Sequence, residues 1–182
     1  NCSCTTNAVA PLAKVLHDNY GIEKGFLITA HAYTATQNLI DSPHKKDPRR
    51  GRNAATNIVP TSTGAAKSVA KVIPALAGIL DGYAWRVPVP VGSIVSLICH
   101  VKKDVTPEEV NWLFKQVAEH HLTGILEYNE DPLVLKDIVG NPHSSVFDAK
   151  STKVIDRLVT ISAWYDNEAG FSHRMVEVVK LL

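Results

Sequence analysis

The sequence lacks the marks of several protein classes. Its three cysteines are an odd number, and Cys2, Cys4 and Cys99 show neither a disulfide framework nor the paired spacing of a metal site, which favours a reducing cytosol. The eight histidines are scattered, and the adjacent pair His120-His121 closes a helical pattern, where a solvated last turn explains it better than a metal does. An excess of one charge is missing too. With 19 Lys and Arg against 18 Asp and Glu, no global field selects nucleic acid or a membrane surface, so binding must be local. No apolar run approaches membrane-spanning length, since Pro74 and Gly78 interrupt the stretch 72–80, and no signal-peptide pattern occurs. A G-x-G-x-x-G turn of the kind that grips a pyrophosphate is likewise missing.

What is present begins at Ser3-Cys4-Thr5-Thr6-Asn7, a thiol between two hydroxyls at the start of a helical pattern. Val9, Leu12, Ala13 and Leu16 recur at helical spacing, and Gly21 follows Tyr20 as a C′ residue. Cys4 is therefore expected at the positive end of a helix, where the macrodipole and free N–H groups stabilise a thiolate and should lower the thiol pKa. Ile28-Thr29-Ala30-His31-Ala32-Tyr33-Thr34 reads as a short strand running into a loop, with His31 a candidate base for that thiol. Each feature has a plainer explanation: a small buried cysteine, a structural histidine.

Residues 41–57, polar and basic with Pro43, Pro48 and Gly51, read as a long ordered loop. Thr63-Gly64 should open a helix through Ile73, and such an N-terminus with a hydroxyl can hold a phosphate, although capping alone also explains Thr63. Residues 83–87, 93–101, 125–128 and 158–164 are strand-like, the second of them with apolar residues on both faces and so expected to be buried on both. Thr106-Pro107-Glu108-Glu109 is a capping box before a helix carrying Val110, Leu113, Phe114, Val117 and Ala118 on one side, and a closing helix is expected over 167–182. Trp112 and Trp164 read as packing aromatics. Strands outnumber crossover helices, so the expected class is α+β: one domain over 1–182 with a large mixed, mostly antiparallel sheet and helices on one face.

Six blocks in one order, Ser3 to Asn7, His31 to Gln37, Arg49 to Arg52, Ser62 to Lys67, Arg86-Val87-Pro88 and Trp164 to Glu168, resemble the catalytic domain of phosphorylating glyceraldehyde-3-phosphate dehydrogenases over practically the whole chain. In that family a dinucleotide-binding domain comes first. The resemblance therefore implies an excised or truncated catalytic domain, with most of the NAD site elsewhere and little activity alone. It implies that Cys4 attacks the aldehyde carbon of a small phosphorylated aldehyde, glyceraldehyde 3-phosphate, and that His31 takes the proton. Thr34 and Arg86 would hold the substrate phosphate, and Ser3, Thr5, Arg50, Thr63 and Gly64 the inorganic phosphate that attacks the thioester, yielding 1,3-bisphosphoglycerate. Asn167 would meet the nicotinamide carboxamide of NAD. The resemblance further implies a cytoplasmic glycolytic enzyme that assembles as a homo-tetramer, the 41–57 loop lining a neighbour's cofactor pocket.

Some positions depart from the family pattern: Ala8 for a second cysteine, Cys2 for alanine, Phe171 for tyrosine, Ala169 for a bulky aromatic and Ser96 for a buried aspartate. The changes at 169 and 171 bear on cofactor affinity. Two other readings stand beside the first: an erythrose-4-phosphate dehydrogenase, against which Thr34 weighs, and a truncated non-catalytic module for assembly or interaction.

Overall fold

The computed structural model describes residues 2–182. Ser3 caps the first helix, α1 (Cys4–Tyr20): its Oγ accepts the Thr6 N–H at 3.1 Å, satisfying one of the donors that every helix start leaves free. Gly21, at φ 70°, ends it in the left-handed region where a side chain is disfavoured. One face of α1 buries Val9, Leu12, Ala13 and Leu16 completely.

Seven strands form one sheet: β1 (Ile22–Ala32), β2 (Val59–Ser62), β3 (Leu80–Val87), β4 (Ser93–Val101), β5 (Leu126–Asn129), β6 (Ser145–Ile155) and β7 (Leu158–Tyr165). Their order is β2-β3-β1-β4-β7-β6-β5. The β1–β3 and β5–β6 pairs are parallel and the other four antiparallel, as an α+β architecture with a mixed, mostly antiparallel sheet requires. The remaining helices are α2 (Ala65–Val72), α3 (Pro107–His120), α4 (Leu135–Ile138) and α5 (Ala169–Val179). A capping box fixes the start of α3, as read from Thr106 and Glu109. Val110, Phe114 and Ala118 are its buried stripe, and Phe114 stacks on Phe147 of β6 with ring centroids 4.2 Å apart.

The core lies between the helices and one face of the sheet. Val95, Leu97, Cys99 and Val101 point into it from β4, while the alternate residues Ile94, Ser96 and Ile98 are only half-buried on the opposite face, contrary to the expectation of burial on both sides. That open face carries exposed Phe26, Tyr83, Trp85 and Leu158 in place of a helix layer. Three further expectations are corrected. Strands β2 and β6 escaped the pattern reading; in β6 burial loses its alternation around a register irregularity between Asp148 and Lys153. β1 begins at Ile22 rather than Ile28. Trp112 is 65% exposed and packs into no core, whereas Trp164 is half-buried with its indole N–H on Asp148.

Candidate active site

Strand register assembles the site. In the parallel β1–β3 pair His31 is opposite Arg86, in the antiparallel β1–β4 pair it is opposite Ser93, and Ser93 is opposite Tyr165 of β7. Directly opposed residues point to the same face of a sheet, so Arg86, His31, Ser93 and Tyr165 form one transverse row. The N-terminus of α1 lies over that row and brings the Cys4 sulfur to 3.2 Å from His31 Nε2. The His31 ring meets Tyr165 edge to face at 5.9 Å.

Three atoms behind the imidazole are mutually close. Arg86 Nη1 is 2.7 Å from His31 Nδ1 and 2.8 Å from the Ala32 carbonyl oxygen, and that oxygen is 2.7 Å from Nδ1. A guanidinium can only donate and a carbonyl can only accept, so the two contacts make opposite demands on Nδ1: with Arg86 as partner the imidazole proton sits on Nε2, toward the thiol, and with the Ala32 carbonyl as partner it sits on Nδ1 and leaves Nε2 to accept. Arg86 Nε is buried with no partner, and no carboxylate pairs with Arg86 among the described residues. Arg50 is near enough for its like charge to weigh on Arg86. Two guanidiniums, each with a buried Nε that has no hydrogen-bond partner, make this end of the site suited to an anion.

The electrostatics correct one expectation. The Cys4 thiol is raised above its ordinary value, because burial outweighs the hydrogen bonds from the Thr5 backbone and hydroxyl, the charge of Arg86 and the Cys4 backbone N–H. The helix end does supply donors to the sulfur, but desolvation wins. His31 is pushed down to about 4, first by burial and then by Arg86. The thiol and imidazole therefore rest as a neutral pair. Burial pushes Cys99, packed in the core away from this row, up to about 12.

The other predicted site residues are placed less directly. The Ser3 hydroxyl caps α1 and contacts Thr6 Oγ1 at 2.7 Å. Thr5 is buried, with its hydroxyl 2.9 Å from Tyr165. Thr34 follows β1 and bonds Gln37 Oε1 through both its N–H and its hydroxyl. Arg50 lies in a short 3-10 turn (Pro48–Gly51) capped by Asp47, 3.7 Å from that residue's carboxylate. Thr63 Oγ1 accepts the Ala65 N–H at the start of α2, and Gly64 has open space where a Cβ would be. Direct contacts thus join Cys4, His31 and Arg86; Thr34, Thr63 and Gly64 bond within their own loops.

Asn167 is held in one orientation: its Oδ1 accepts the Gly92 N–H at 2.8 Å, which leaves Nδ2 to donate outward. Gly92 has φ 87°, and a Cβ there would collide with Leu135, so this clamp depends on glycine. Asp166 fixes the same turn by accepting from Glu168 N, Ala169 N and Gly140 N. Sequence reasoning assigned no role to Tyr165, Ser93, Gly92 or Asp166. The first and last stood inside a recognised block, but only register reveals what they touch.

The depressed His31 pKa carries a stability consequence. Between pH 6.5 and about 4 the unfolded chain binds a proton at His31 that the folded chain refuses, so stability falls as pH drops through that window. The full effect is about 3 kcal/mol. Urea unfolding of His31→Asn should show a shallower loss of stability than the parent across this range; identical slopes would contradict the buried neutral imidazole.

Comparison with known proteins places the chain in a family. Residues 3–167 match the family described as glyceraldehyde 3-phosphate dehydrogenase, C-terminal domain. A glyceraldehyde-3-phosphate dehydrogenase of Kitasatospora aureofaciens is 58% identical over all 182 residues, which cover 54% of that relative. Those of Mycobacterium avium and Mycolicibacterium smegmatis are 56% and 54% identical, with 53% of each covered. The chain spans about half the length of the curated relatives it matches. With the thiol, imidazole and arginine in contact and the match extending over the site, the chain belongs to the family of glyceraldehyde 3-phosphate dehydrogenase C-terminal domains.

Proposed function

We propose that this chain is the catalytic portion of a phosphorylating, NAD-dependent aldehyde dehydrogenase acting on glyceraldehyde 3-phosphate in glycolysis. The observation that carries the reading is the contact of Cys4 with His31 beside an arginine that has no carboxylate partner. A nucleophile and base within hydrogen-bond reach serve acyl chemistry, and the unpaired guanidinium suits the phosphate of the same substrate.

The residues then act in order. A substrate phosphate draws Arg86 away from His31, so Nδ1 can donate to the Ala32 carbonyl and Nε2 becomes an acceptor facing Cys4. Cys4 attacks the aldehyde carbon as its proton passes to Nε2, forming a thiohemiacetal. The developing oxyanion is held by the Cys4 backbone N–H and by His31. Thr34 shares the substrate phosphate with Arg86 once its hydroxyl turns from Gln37. Ser3, Thr5, Arg50, Thr63 and Gly64 receive the inorganic phosphate that cleaves the thioester. Asn167, with Nδ2 presented and Oδ1 clamped, fits a carbonyl acceptor such as the nicotinamide carboxamide. NAD, when bound, supplies the hydride acceptor for the oxidation.

The exposed apolar face of the sheet supports assembly with a second copy of the chain, in keeping with a tetramer. No described helix is long and apolar enough to cross a membrane. Free cysteines throughout the described residues accord with a cytoplasmic setting.

Two outcomes follow. Mass-mapped iodoacetamide labelling should slow about a hundredfold at Cys4 in His31→Asn, while Cys2 keeps its rate; equal effects on both would remove His31 as the base. Calorimetric titration of the chain with NAD should show no saturable binding at micromolar concentration, since the chain has no Gly-rich turn for the pyrophosphate. Tight binding would place the cofactor grip within these residues.

A further inference from the structure

A cavity of about 610 Å³ lies where the end of α1 meets the start of α3, lined by Tyr20, Lys103, Asp104, Glu108, Glu109 and Trp112 among others. Tyr20 and Cys4 are opposite ends of α1, about 24 Å apart at 1.5 Å per residue, so this cavity is separate from the site described above. Trp112 is 65% exposed, and Glu108, four residues before it on α3, shares its side of the helix. The half-buried Tyr20 donates its hydroxyl to the Glu109 carbonyl oxygen at 3.3 Å, which ties the two helices together and fixes the phenol. A single exposed tryptophan is ordinary on a protein surface. A second ring from another helix, lining the same concavity, gives one ligand two aromatic surfaces to meet.

The charges around these rings select the kind of ligand. Lys103 turns its ammonium to the Asn19 carbonyl oxygen at 2.6 Å, and the Glu109 carboxylate accepts the Thr106 N–H at 2.8 Å within the capping box. Asp104 and Glu108 have no ion-pair partner among the described residues. Three carboxylates against one lysine repel an anion, and a neutral apolar ligand would strip water from the acids without compensation. A metal ion is poorly served, since no three His, Cys, Asp or Glu among the described residues are grouped to hold one. An alkylated ammonium meets both features: its methyl groups pack on the indole and the phenol while its diffuse charge faces the carboxylates.

We propose that the cavity between Tyr20 and Trp112 is a binding site for an alkylammonium group, held by the two aromatic side chains and by the carboxylates of Asp104 and Glu108. The group can be carried by a free small cation or by an alkylated lysine of a peptide; the recognition chemistry is the same. The site is independent of the aldehyde chemistry at Cys4, and its occupancy is read without reference to turnover.

The test is a heteronuclear NMR titration of the chain at fixed ionic strength with choline chloride, with a short peptide carrying trimethyllysine, and with the neutral alcohol in which carbon replaces the choline nitrogen. The indole N–H signals of Trp85, Trp112 and Trp164 report separately, Trp112 being assigned by its loss in Trp112→Phe. Choline or the peptide should shift the Trp112 signal saturably and leave the other two unmoved, and the neutral alcohol should bind about tenfold more weakly. Saturation by choline identifies a free cation as sufficient, and saturation by the peptide alone identifies a protein-borne group; each supports the site. With the Glu108 amide as reporter, Trp112→Ala should weaken binding about fivefold. The paired change Asp104→Asn with Glu108→Gln should weaken choline or the peptide while leaving the neutral alcohol as it was. Equal binding of the charged and neutral probes, or no saturable shift from either cation, overturns the proposal. Should Trp112→Ala fail to fold, undiminished cation binding in the Asp104→Asn, Glu108→Gln chain overturns it equally.

Discussion

The parallel pairing of β1 with β3 is the constraint on which the site depends. It sets Arg86 opposite His31, two residues separated by 55 positions in the chain, and the neighbouring antiparallel pairs extend the row to Ser93 and Tyr165. A slip of one residue would turn Arg86 to the open face of the sheet and leave His31 without its neighbour. Helix α1 then needs only to place its first residue over the row, and the Ser3 cap together with the buried Val9, Leu12 and Leu16 stripe fixes it there.

Competing electrostatic effects set the resting state. A helix N-terminus and a nearby guanidinium both favour a thiolate, yet the sulfur is buried and the balance tips toward the neutral thiol. The same burial, helped by Arg86, keeps His31 neutral. Arg86 thus has two consequences at once: it offers charge to an anion, and it competes with the Ala32 carbonyl for Nδ1 of His31. At the far end of the row, Gly92 and Asp166 lock the turn that presents Asn167, so the site is organised by sheet register on one side and by a glycine-dependent turn on the other.

Much of this was legible in the sequence. The start of α1 near Cys4, the capping box at Thr106, the inward face of β4 and the α+β class follow from local pattern, because each depends on neighbours within a few residues. Cys4 and His31 were legible as a pair through the ordered blocks. What the pattern could not carry was non-local. The register that gives Tyr165 its contacts with Thr5 and Thr29 spans 160 and 136 positions. The degree of burial at Cys4, which reverses the expected pKa direction, depends on what packs over it from other strands. Strand β6 was missed because its burial pattern does not alternate cleanly, and the exposure of Trp112 because an aromatic on a helix does not say which side the sheet will take.

The central claim is that Cys4, His31 and Arg86 form one site for a phosphorylated aldehyde. A crystal structure of the chain soaked with glyceraldehyde 3-phosphate tests it most directly. The account predicts a bond from Cys4 Sγ to the aldehyde carbon, the phosphate on the Arg86 guanidinium, and His31 Nδ1 turned to the Ala32 carbonyl. A covalent adduct on Cys2 with Cys4 unmodified, or a phosphate bound away from Arg86, would contradict it.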